Sequence, residues 1–476
     1  MILFPIINII NFKIVKNWCY MAKQQNNVKK TKKSQLTFLQ KIFSVKNQKC
    51  EEHIIKKKIT ILGISVSISV NKPKIVSKLL TIHILNGEKR KQKRSVIYED
   101  LKYKTGTRKK EIDYIENRIK KHKYVYALGG ILWNCPLHQR PHQRAKVIAK
   151  EKGLFLYLEI RNGNPILKTE GNIIFFNKDY LFHFSPKISR KIYLIVPNVE
   201  IFFSLEVCKK LRKRGINLIY DYIDDFSELI VHNNKPQLEL FENLEQVDFC
   251  LFSATAKSLY NQLLSRFESE RVILNPNGVN TDDFRADEPK ILFPDMENVL
   301  KRGNNIPIVG YYGALAEWID WELLNEVHKK RPQYNFVYIG VRYDKSSEKL
   351  EPAENVFILD EKPYKELYKY ASFFDCCTIP FKNGDIAKAT NPIKLFEYMS
   401  MKKATVCTKD LLECYGYDGV LIADGSDDFA AKLDEAIALG KDENIKNKLY
   451  SVALENTWRK RVLDLDEKIR EIRNNS

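Results

Sequence analysis

ATNPIKLFEYMSMKKATVCT, Ala389 to Thr408, is the stretch whose reading decides the fold. Thr390, Asn391 and Pro392 form a loop opening a helix, in which the apolar Ile393, Leu395, Phe396 and Met399 leave Lys394, Glu397 and Tyr398 on other faces. Lys402 and Lys403 then lead into a short apolar strand, Ala404 to Cys407. A loop that opens a helix presents free backbone N–H groups and the positive end of the helix dipole, which suits a phosphate. One turn further in, a carboxylate such as Glu397 can accept hydrogen bonds from sugar hydroxyls. The unit reads as half of a nucleotide-diphosphate site, or equally as a buried loop and helix of any α/β domain.

Outward from this stretch, strands and helices alternate. YVYALGG from Tyr124 is a strand ending in glycines, PHQRAKVIAKEKG a helix closed by Gly153, and LFLYLEI a second strand. KIYLIVP, VEIFFSLEVCKKLRKRG, INLIYDYIDD, a helix near Leu238 to Glu245, VDFCLFS, ATAKSLYNQLLSRF and RVILNPNGV continue the series. After a linker around Arg285 to Asn305 it restarts with IPIVGYYG and runs to the terminal SVALENTWRKRVLDLDEKIREI, read as one long amphipathic helix. Regular alternation predicts parallel sheets with helices on both faces, binding ligands at the strands' carboxyl ends. Two such domains in tandem leave a cleft between them.

The 476 residues exceed one ordinary core. At 44% hydrophobic and 29% charged, the composition is that of a soluble globular protein. The net charge of +20 is unevenly placed. Residues 1–123 hold 30 Lys and Arg against 8 Asp and Glu, a charge of +22, whereas the remainder sums to −2. A nearly neutral body is no nucleic-acid surface. The extension contains the polar AKQQNNVKKTKKSQ, the runs KIFSVKN and KKKITILGISVSISV that read as a strand pair, and GEKRKQKR and TRKKEIDYIENRIKKHK, read as a loop and an exposed basic helix. Such a segment is either a solvated arm or an attachment to an anionic membrane surface.

None of the nine cysteines forms a C-x-x-C pair or has zinc-ligand spacing, which fits a reducing cytoplasm. No run reaches the roughly 18 to 20 apolar residues of a membrane-spanning helix. MILFPIINIINF is too short and lacks the basic residues of a signal core, and Met21 is an alternative start.

Four pieces carry a family likeness: WNCPLHQRPHQRA, NPNGVNTDDF, VGYYGALAEWIDWELL with the later NVFILDEKPYKELYKYASFFDCCTIPF, and NPIKLFEYMSMKKATVCT. In their order and spacing, the chain from Tyr124 onward resembles a GT-B glycosyltransferase of the retaining family-4 type, with relatives in bacterial capsule, lipooligosaccharide and teichuronic-acid biosynthesis. The pattern FS-x-KN followed by K-x-ITILGI similarly resembles a small appendage at the ends of some surface-polysaccharide proteins. The resemblance implies two tandem doubly wound Rossmann-like domains facing a cleft. They are an acceptor domain at 124–290 and a donor domain at 291–455, with 456–476 a helix crossing back and 1–123 a basic extension. It implies transfer of a sugar from a nucleotide-sugar donor, a substrate rather than a cofactor, to a glycan or lipid-linked acceptor. The location expected is cytoplasmic, at or near the inner face of the membrane. A nucleotide-sugar epimerase and a non-catalytic scaffold of the same shape are the alternatives.

Within the resemblance, Glu397 matches the ribose-binding second member of a pair of glutamates eight residues apart, and Thr390, Asn391 and Pro392 lie beside the phosphates. The first glutamate's position is Ala389, and the Arg and Lys that usually grip the diphosphate are missing after Gly313. Lys394, Lys388 and Arg342 are the compensating cations, and such charge stabilises a leaving diphosphate without a metal. No Asp-x-Asp motif lies within the two expected domains, 124–455, to hold one. Gly313 permits close backbone approach to the donor. His138, Arg140 and His142 close the first strand's loop and should face the cleft, His138 and Arg140 as candidate catalytic residues. Asp224 and Asp225 end the strand INLIYDYI, where a carboxylate, Asp225 in particular, can bind or deprotonate an acceptor hydroxyl or simply cap a helix. Trp318, Trp321 and Trp458 read as packing residues.

Overall fold

In the computed structural model, the described residues are 43–50, 54–61, 64–71, 80–84 and 109–475, apart from 131–132, 134, 136–137, 160–166, 201, 227–234 and 304. The chain divides into two compact units, Met1–Gly106 and Thr107–Ser476. In the first, β1 (Phe43–Cys50), β2 (Ile54–Ile61), β3 (Ile64–Asn71) and β4 (Leu80–Ile84) form an antiparallel sheet in sequential order. The register pairs Phe43 with Ile61, Ile54 with Asn71 and Ile64 with Ile84. The expected strand pair is thus four strands. AKQQNNVKKTKKSQ and GEKRKQKR lie outside the described residues.

The second unit holds two sheets. The first comprises β5 (Val125–Gly129), β6 (Phe155–Glu159), β7 (Lys168–Glu170), β8 (Ile173–Asn177), β9 (Ile192–Pro197), β10 (Asn217–Tyr222), β11 (Phe249–Ala254) and β12 (Val272–Leu274). Their spatial order is β12-β11-β10-β9-β5-β6-β8-β7, parallel except for the edge strand β7. The second comprises β13 (Ile308–Tyr312), β14 (Asn335–Ile339), β15 (Val356–Leu359), β16 (Cys376–Ile379), β17 (Thr405–Thr408) and β18 (Val420–Ala423), in the order β15-β14-β13-β16-β17-β18 and wholly parallel. Each sheet reverses its winding direction once, between β5 and β9 and between β13 and β16. That reversal leaves a crevice at the carboxyl ends of the strands.

Side-chain alternation explains why both faces of the first sheet are covered. In β5, Val125 and Ala127 join one apolar cluster while Tyr126 and Leu128 join the other. The basic helix at 109–120 belongs to this core, because Ile115 and Ile119 are both 0% exposed in the same cluster as Val125. Its charges form only the outer face of an amphipathic helix, so it is not the free basic helix its composition suggested.

The C-terminal segment is two helices, Glu443–Glu455 and Trp458–Asn474, broken at Asn456 and Thr457. Thr457 caps the second, its side chain accepting from the Lys460 N–H. At the break the chain passes Gly278 so closely that a Cβ there would lie 2.8 Å from the Asn456 carbonyl oxygen. Val462, Leu465 and Ile469 then bury themselves in the first sheet's core, and Asp466 accepts from the Tyr124 and Tyr126 hydroxyls and pairs with Lys152 at 2.6 Å. Among the described residues no helix is long and apolar enough to cross a membrane.

Candidate active site

The crevice of the second sheet is built around two glycines. Gly313 follows β13 with φ +141°, and Gly340 follows β14 with φ +154°. A Cβ on Gly340 would lie 1.7 Å from the Gly313 carbonyl oxygen, so only glycine fits there. A Cβ on Gly313 would lie 3.1 Å from Lys394 Cε. Bare backbone at two adjacent strand ends therefore adjoins a lysine. Lys394 sits in the first turn of the helix Ile393–Ser400, whose N-cap is Pro392 and whose first turn receives no side-chain cap. Its ammonium lies 5.2 Å from the Tyr311 ring and 5.1 Å from the Phe381 ring. Burial lowers it to about 8, against the opposing pull of Glu397.

Glu397, one turn further along, is 4% exposed. Burial pushes its carboxyl up to about 7, although Lys394 and the neighbouring hydroxyls of Tyr312 and Tyr364 favour the ionised form. The buried Glu397 and the half-buried Lys394 are thus both poised near neutrality, a pattern that marks functional sites.

The first domain faces this pocket with the helix Arg140–Lys152. Gln143 donates from Nε2 to the Tyr364 hydroxyl at 2.6 Å. His138, ahead of the helix, stacks on the Tyr364 ring with centroids 4.8 Å apart and planes at 18°. Asn391 joins the domains on the other side: its Oδ1 accepts from the Asn277 N–H at 2.9 Å, and its carbonyl accepts from Asn277 Nδ2 at 2.6 Å. Nearby, the Ser258 hydroxyl donates to the Lys388 carbonyl at 3.2 Å. In the first sheet's own crevice, a Cβ on Gly130 would lie 2.6 Å from Glu200 Oε2, so this loop too brings backbone against a buried carboxylate.

No family model matches the sequence. Over 197 residues the chain is 25% identical to a Bacillus subtilis (strain 168) protein provisionally assigned as a teichuronic acid biosynthesis glycosyltransferase. That match covers 40% of this chain and 48% of the relative, about half its length. Among solved structures, sucrose-phosphate synthase from Thermosynechococcus elongatus superposes with a TM-score of 0.54 at 14% identity, covering 74% of this chain and all of that one. An Escherichia coli trehalose-6-phosphate protein bound with UDP-2-fluoro glucose gives 0.54 at 14% identity, over 73% of this chain and 98% of that one. Anabaena HepE in complex with UDP and glucose gives 0.53 at 13%, over 73% and 100%. The fold is GT-B.

In this GT-B chain the residues singled out from sequence separate into three groups. Gly313, Lys394 and Glu397 converge at the second sheet's crevice, with Pro392 opening the helix that carries the last two. A second group is spent on structure. Thr390 gives its hydroxyl to the Ile386 carbonyl at 2.6 Å, and Asn391 is the interdomain fastener described above. Lys388 pairs with Asp385 at 3.6 Å and Asp410 at 3.9 Å. Arg140 does not face the cleft. It is 2% exposed and directs Nε and Nη2 at Asp221, Nη1 at the Pro276 carbonyl and Asn277, and Nη2 also at Asn275. A guanidinium so fully engaged clamps the linker to the sheet and has no donor left for a substrate. His142 is likewise buried rather than in the cleft, its Nδ1 accepting from the Gln139 N–H at 3.2 Å.

The third group stands apart from the convergence. Arg342 is exposed, tied through backbone pairing with Leu315. Asp225 accepts from the Phe226 N–H at 2.7 Å, while burial raises neighbouring Asp224 to about 6. His138 does face the cleft, but burial, with Lys146, His142 and Lys365 nearby, drives its ring down to about 3. A ring held neutral at that value is a weak general base. Trp321 is 0% exposed, Trp318 packs against Tyr343, and Trp458 lies beneath Arg140.

The residues that local sequence did not single out are Tyr312, Tyr364, Gln143 and Asp221. Asp221 carried a signal: an acid inside the apolar run INLIYDYI must find a partner, and it finds Arg140 and Arg144. Among the described residues, no cluster of three or more His, Cys, Asp or Glu side chains is placed to hold a metal.

Proposed function

We propose that this chain transfers a sugar from a nucleotide-sugar donor, held by the second domain, to an acceptor held by the first. The observation that carries the reading is the convergence of Gly313, Lys394 and Glu397 where the second sheet reverses its winding direction. In this reading the donor's diphosphate lies on the bared backbone of Gly313 and the first turn of the helix Ile393–Ser400. Its ribose hydroxyls donate to the Glu397 carboxylate. Lys394, charged near neutral pH, offsets the negative charge that grows on the departing diphosphate. The UDP bound in HepE and the UDP-2-fluoro glucose bound in the trehalose-6-phosphate protein support a nucleoside-diphosphate donor. These groups suffice for a metal-independent departure, and a retaining outcome follows the family resemblance.

The acceptor would occupy the first sheet's crevice, between the Gly130 loop with Glu200 and the Asp224–Asp225 turn. The teichuronic acid relative supports an acceptor belonging to bacterial surface polysaccharide or its lipid-linked precursor. The charge of +22 over residues 1–123 would hold such an enzyme at the anionic inner face of the membrane.

The test is a panel of nucleotide sugars presented to the purified protein, reading donor binding and release of nucleoside diphosphate. The reading fails when no donor binds. One observation favours a second reading, a scaffold that binds without turnover: Ala389, where the family carries a glutamate, is 4% exposed and packs in the first domain's core cluster. Donor binding with no diphosphate release under any acceptor selects that alternative.

A further inference from the structure

Trp318 lies on the loop after β13 and Tyr343 on the loop after β14, and their rings meet with centroids 5.4 Å apart and planes at 50°. Trp318 is half-buried and packs on the second domain's core, whereas Tyr343 is 49% exposed. The backbone beneath the pair is tightly tied. Leu315 donates its N–H to the Val341 carbonyl at 2.9 Å and accepts from the Tyr343 N–H at 3.0 Å. The Trp318 carbonyl accepts from the Lys382 N–H at 2.8 Å, and Ile319 bridges Phe381 on the loop after β16. Three strand-end loops are thus laced into one support for two aromatic rings, at the carboxyl ends where such a sheet binds its ligands.

The position of the pair relative to Lys394 decides which part of a ligand it meets. Tyr312 and Tyr364, the neighbours of Glu397, both meet Phe284 of the linker, with centroids 6.0 and 5.3 Å apart, so the carboxylate end of the site is its linker side. In another direction from the Lys394 ammonium the Phe381 ring is 5.1 Å away, and the segment paired with Phe381 runs directly into Trp318. A nucleotide sugar with its ribose at Glu397 and its diphosphate at Lys394 therefore extends its sugar toward Trp318 and Tyr343. Hydrogen-bond acceptors are scarce at that end. Position 389 is alanine, Asp320 is committed to the Leu323 N–H at 3.0 Å, and Asp344 to the Glu317 and Ser346 N–H groups at 2.9 and 2.7 Å. The Glu317 side chain is exposed. A hydroxyl enclosed without an acceptor weakens binding, whereas a C–H face gains from burial against aromatic carbon.

Resting on the functional reading above, we infer that Trp318 and Tyr343 are specificity-determining residues that stack the donor's sugar ring by its C–H face and select a 6-deoxyhexose over its 6-hydroxy counterpart. The methyl group of such a sugar adds apolar surface to the stack and removes a hydroxyl that would need an acceptor. Rings held by a rigid support lose little freedom when the sugar arrives, so the contact is realised at low entropic cost.

The experiment is calorimetric titration of the full chain with matched nucleotide sugars and with the bare nucleotides UDP, GDP and dTDP. The pairs are UDP-N-acetylquinovosamine against UDP-N-acetylglucosamine, UDP-N-acetylfucosamine against UDP-N-acetylgalactosamine, GDP-rhamnose against GDP-mannose, and dTDP-fucose against dTDP-galactose. In at least one pair the unaltered protein should bind the 6-deoxy member about fourfold more tightly, the worth of one buried methyl group. Tyr343→Ser and Trp318→Leu should each erase that preference and weaken the nucleotide sugar by about fivefold, while the bare nucleotide binds as before. Trp318→Phe, which keeps an aromatic face, should retain most of the preference. Tyr343 is half exposed, so its serine variant separates binding from folding, and circular dichroism melts confirm that each variant is folded. An equal loss of bare nucleotide in Tyr343→Ser overturns the inference, because the pair would then hold the base. Equal or tighter binding of the 6-hydroxy member in every pair overturns it as well, with nucleotide binding left intact. Binding of none of these ligands to the unaltered protein overturns the functional reading and this inference together.

Discussion

Glu397→Gln should weaken nucleotide binding and, at alkaline pH, make the protein more stable. The carboxyl titrates near 7 in the folded chain, chiefly because burial penalises its charged form, against a usual value of 4.5. A carboxyl raised in this way costs the fold nothing below about pH 4.5, where it is protonated in both states. The cost grows as pH rises between 4.5 and 7, where only the unfolded chain releases the proton, and is complete above about 8. The difference of about 2.5 pKa values corresponds to roughly 3 kcal/mol. Gln keeps the shape and has no charge to desolvate, so at pH 8.5 the variant should gain about 2–3 kcal/mol, with Lys394 shedding its proton more readily in compensation. Urea denaturation of both proteins at pH 8.5 and pH 5 measures this: the gain should be present at the first and nearly gone at the second. Binding of the nucleotide that the unaltered protein prefers should weaken by about tenfold or more, the loss expected for hydrogen bonds to a charged acceptor. A variant destabilised equally at both pH values would refute the argument, because the carboxylate would then be contributing to the fold rather than straining it.

Asp221→Asn should destabilise the protein by about 3 kcal/mol or more in a urea melt at pH 7, because it leaves the buried Arg140 and Arg144 without their anion. Burial would raise the Asp221 carboxyl, but the two guanidiniums reverse this and hold it at about 2. Its contribution is therefore full above the unfolded value of 3.8 and is lost as pH falls toward 2, so the two proteins should converge in stability in acid. Gly340→Ala places a Cβ 1.7 Å from the Gly313 carbonyl oxygen at φ +154°, and should lower the melting temperature and weaken nucleotide binding together. Removing residues 1–106 should leave a cooperatively melting body that no longer binds anionic vesicles in a salt-sensitive way. Removing 1–123 should also destabilise that body by about 3–6 kcal/mol, the burial worth of two isoleucine side chains, Ile115 and Ile119.

Much of the architecture was legible because both sheets are parallel, apart from the edge strand β7, and covered on both sides, so their strands read as apolar runs separated by helices. The helix Ile393–Ser400 begins where Pro392 forces it to. The strands β7 and β8 escaped notice because RNGNPILKTEGNIIFFNK interrupts its apolar run with glycines and a proline, and only pairing to β6 makes Ile173–Asn177 a strand. The break at Asn456 escaped for a related reason. SVALENTWRKRVLDLD keeps a helical rhythm on both sides, and the interruption is imposed by the Gly278–Val279 linker, which pairs Val279 with Thr457. Arg140 was misplaced because a residue just past a strand-end loop ordinarily points to the cleft. Its partners Asp221 and Asn275 lie 81 and 135 positions away, beyond any local pattern.

The same non-local logic bears on Ala389. Its neighbour Lys388 accepts a hydrogen bond from Ser258, and Ala389 itself packs with first-domain residues rather than with the Gly313–Lys394 crevice. Replacing it by glutamate would bury a carboxylate in an apolar interdomain contact, at a cost of several kcal/mol, before any sugar could reach it. Ala389 therefore belongs to the way the domains meet. If the chain transfers sugars, the groups that read the donor must come from elsewhere in the cleft. Tyr364 and its partners Gln143 and His138 already stand between the two domains. Ala389→Glu should thus fail to raise turnover and should lower stability; a variant with increased transfer and an unchanged melt would show that the position still opens onto the donor.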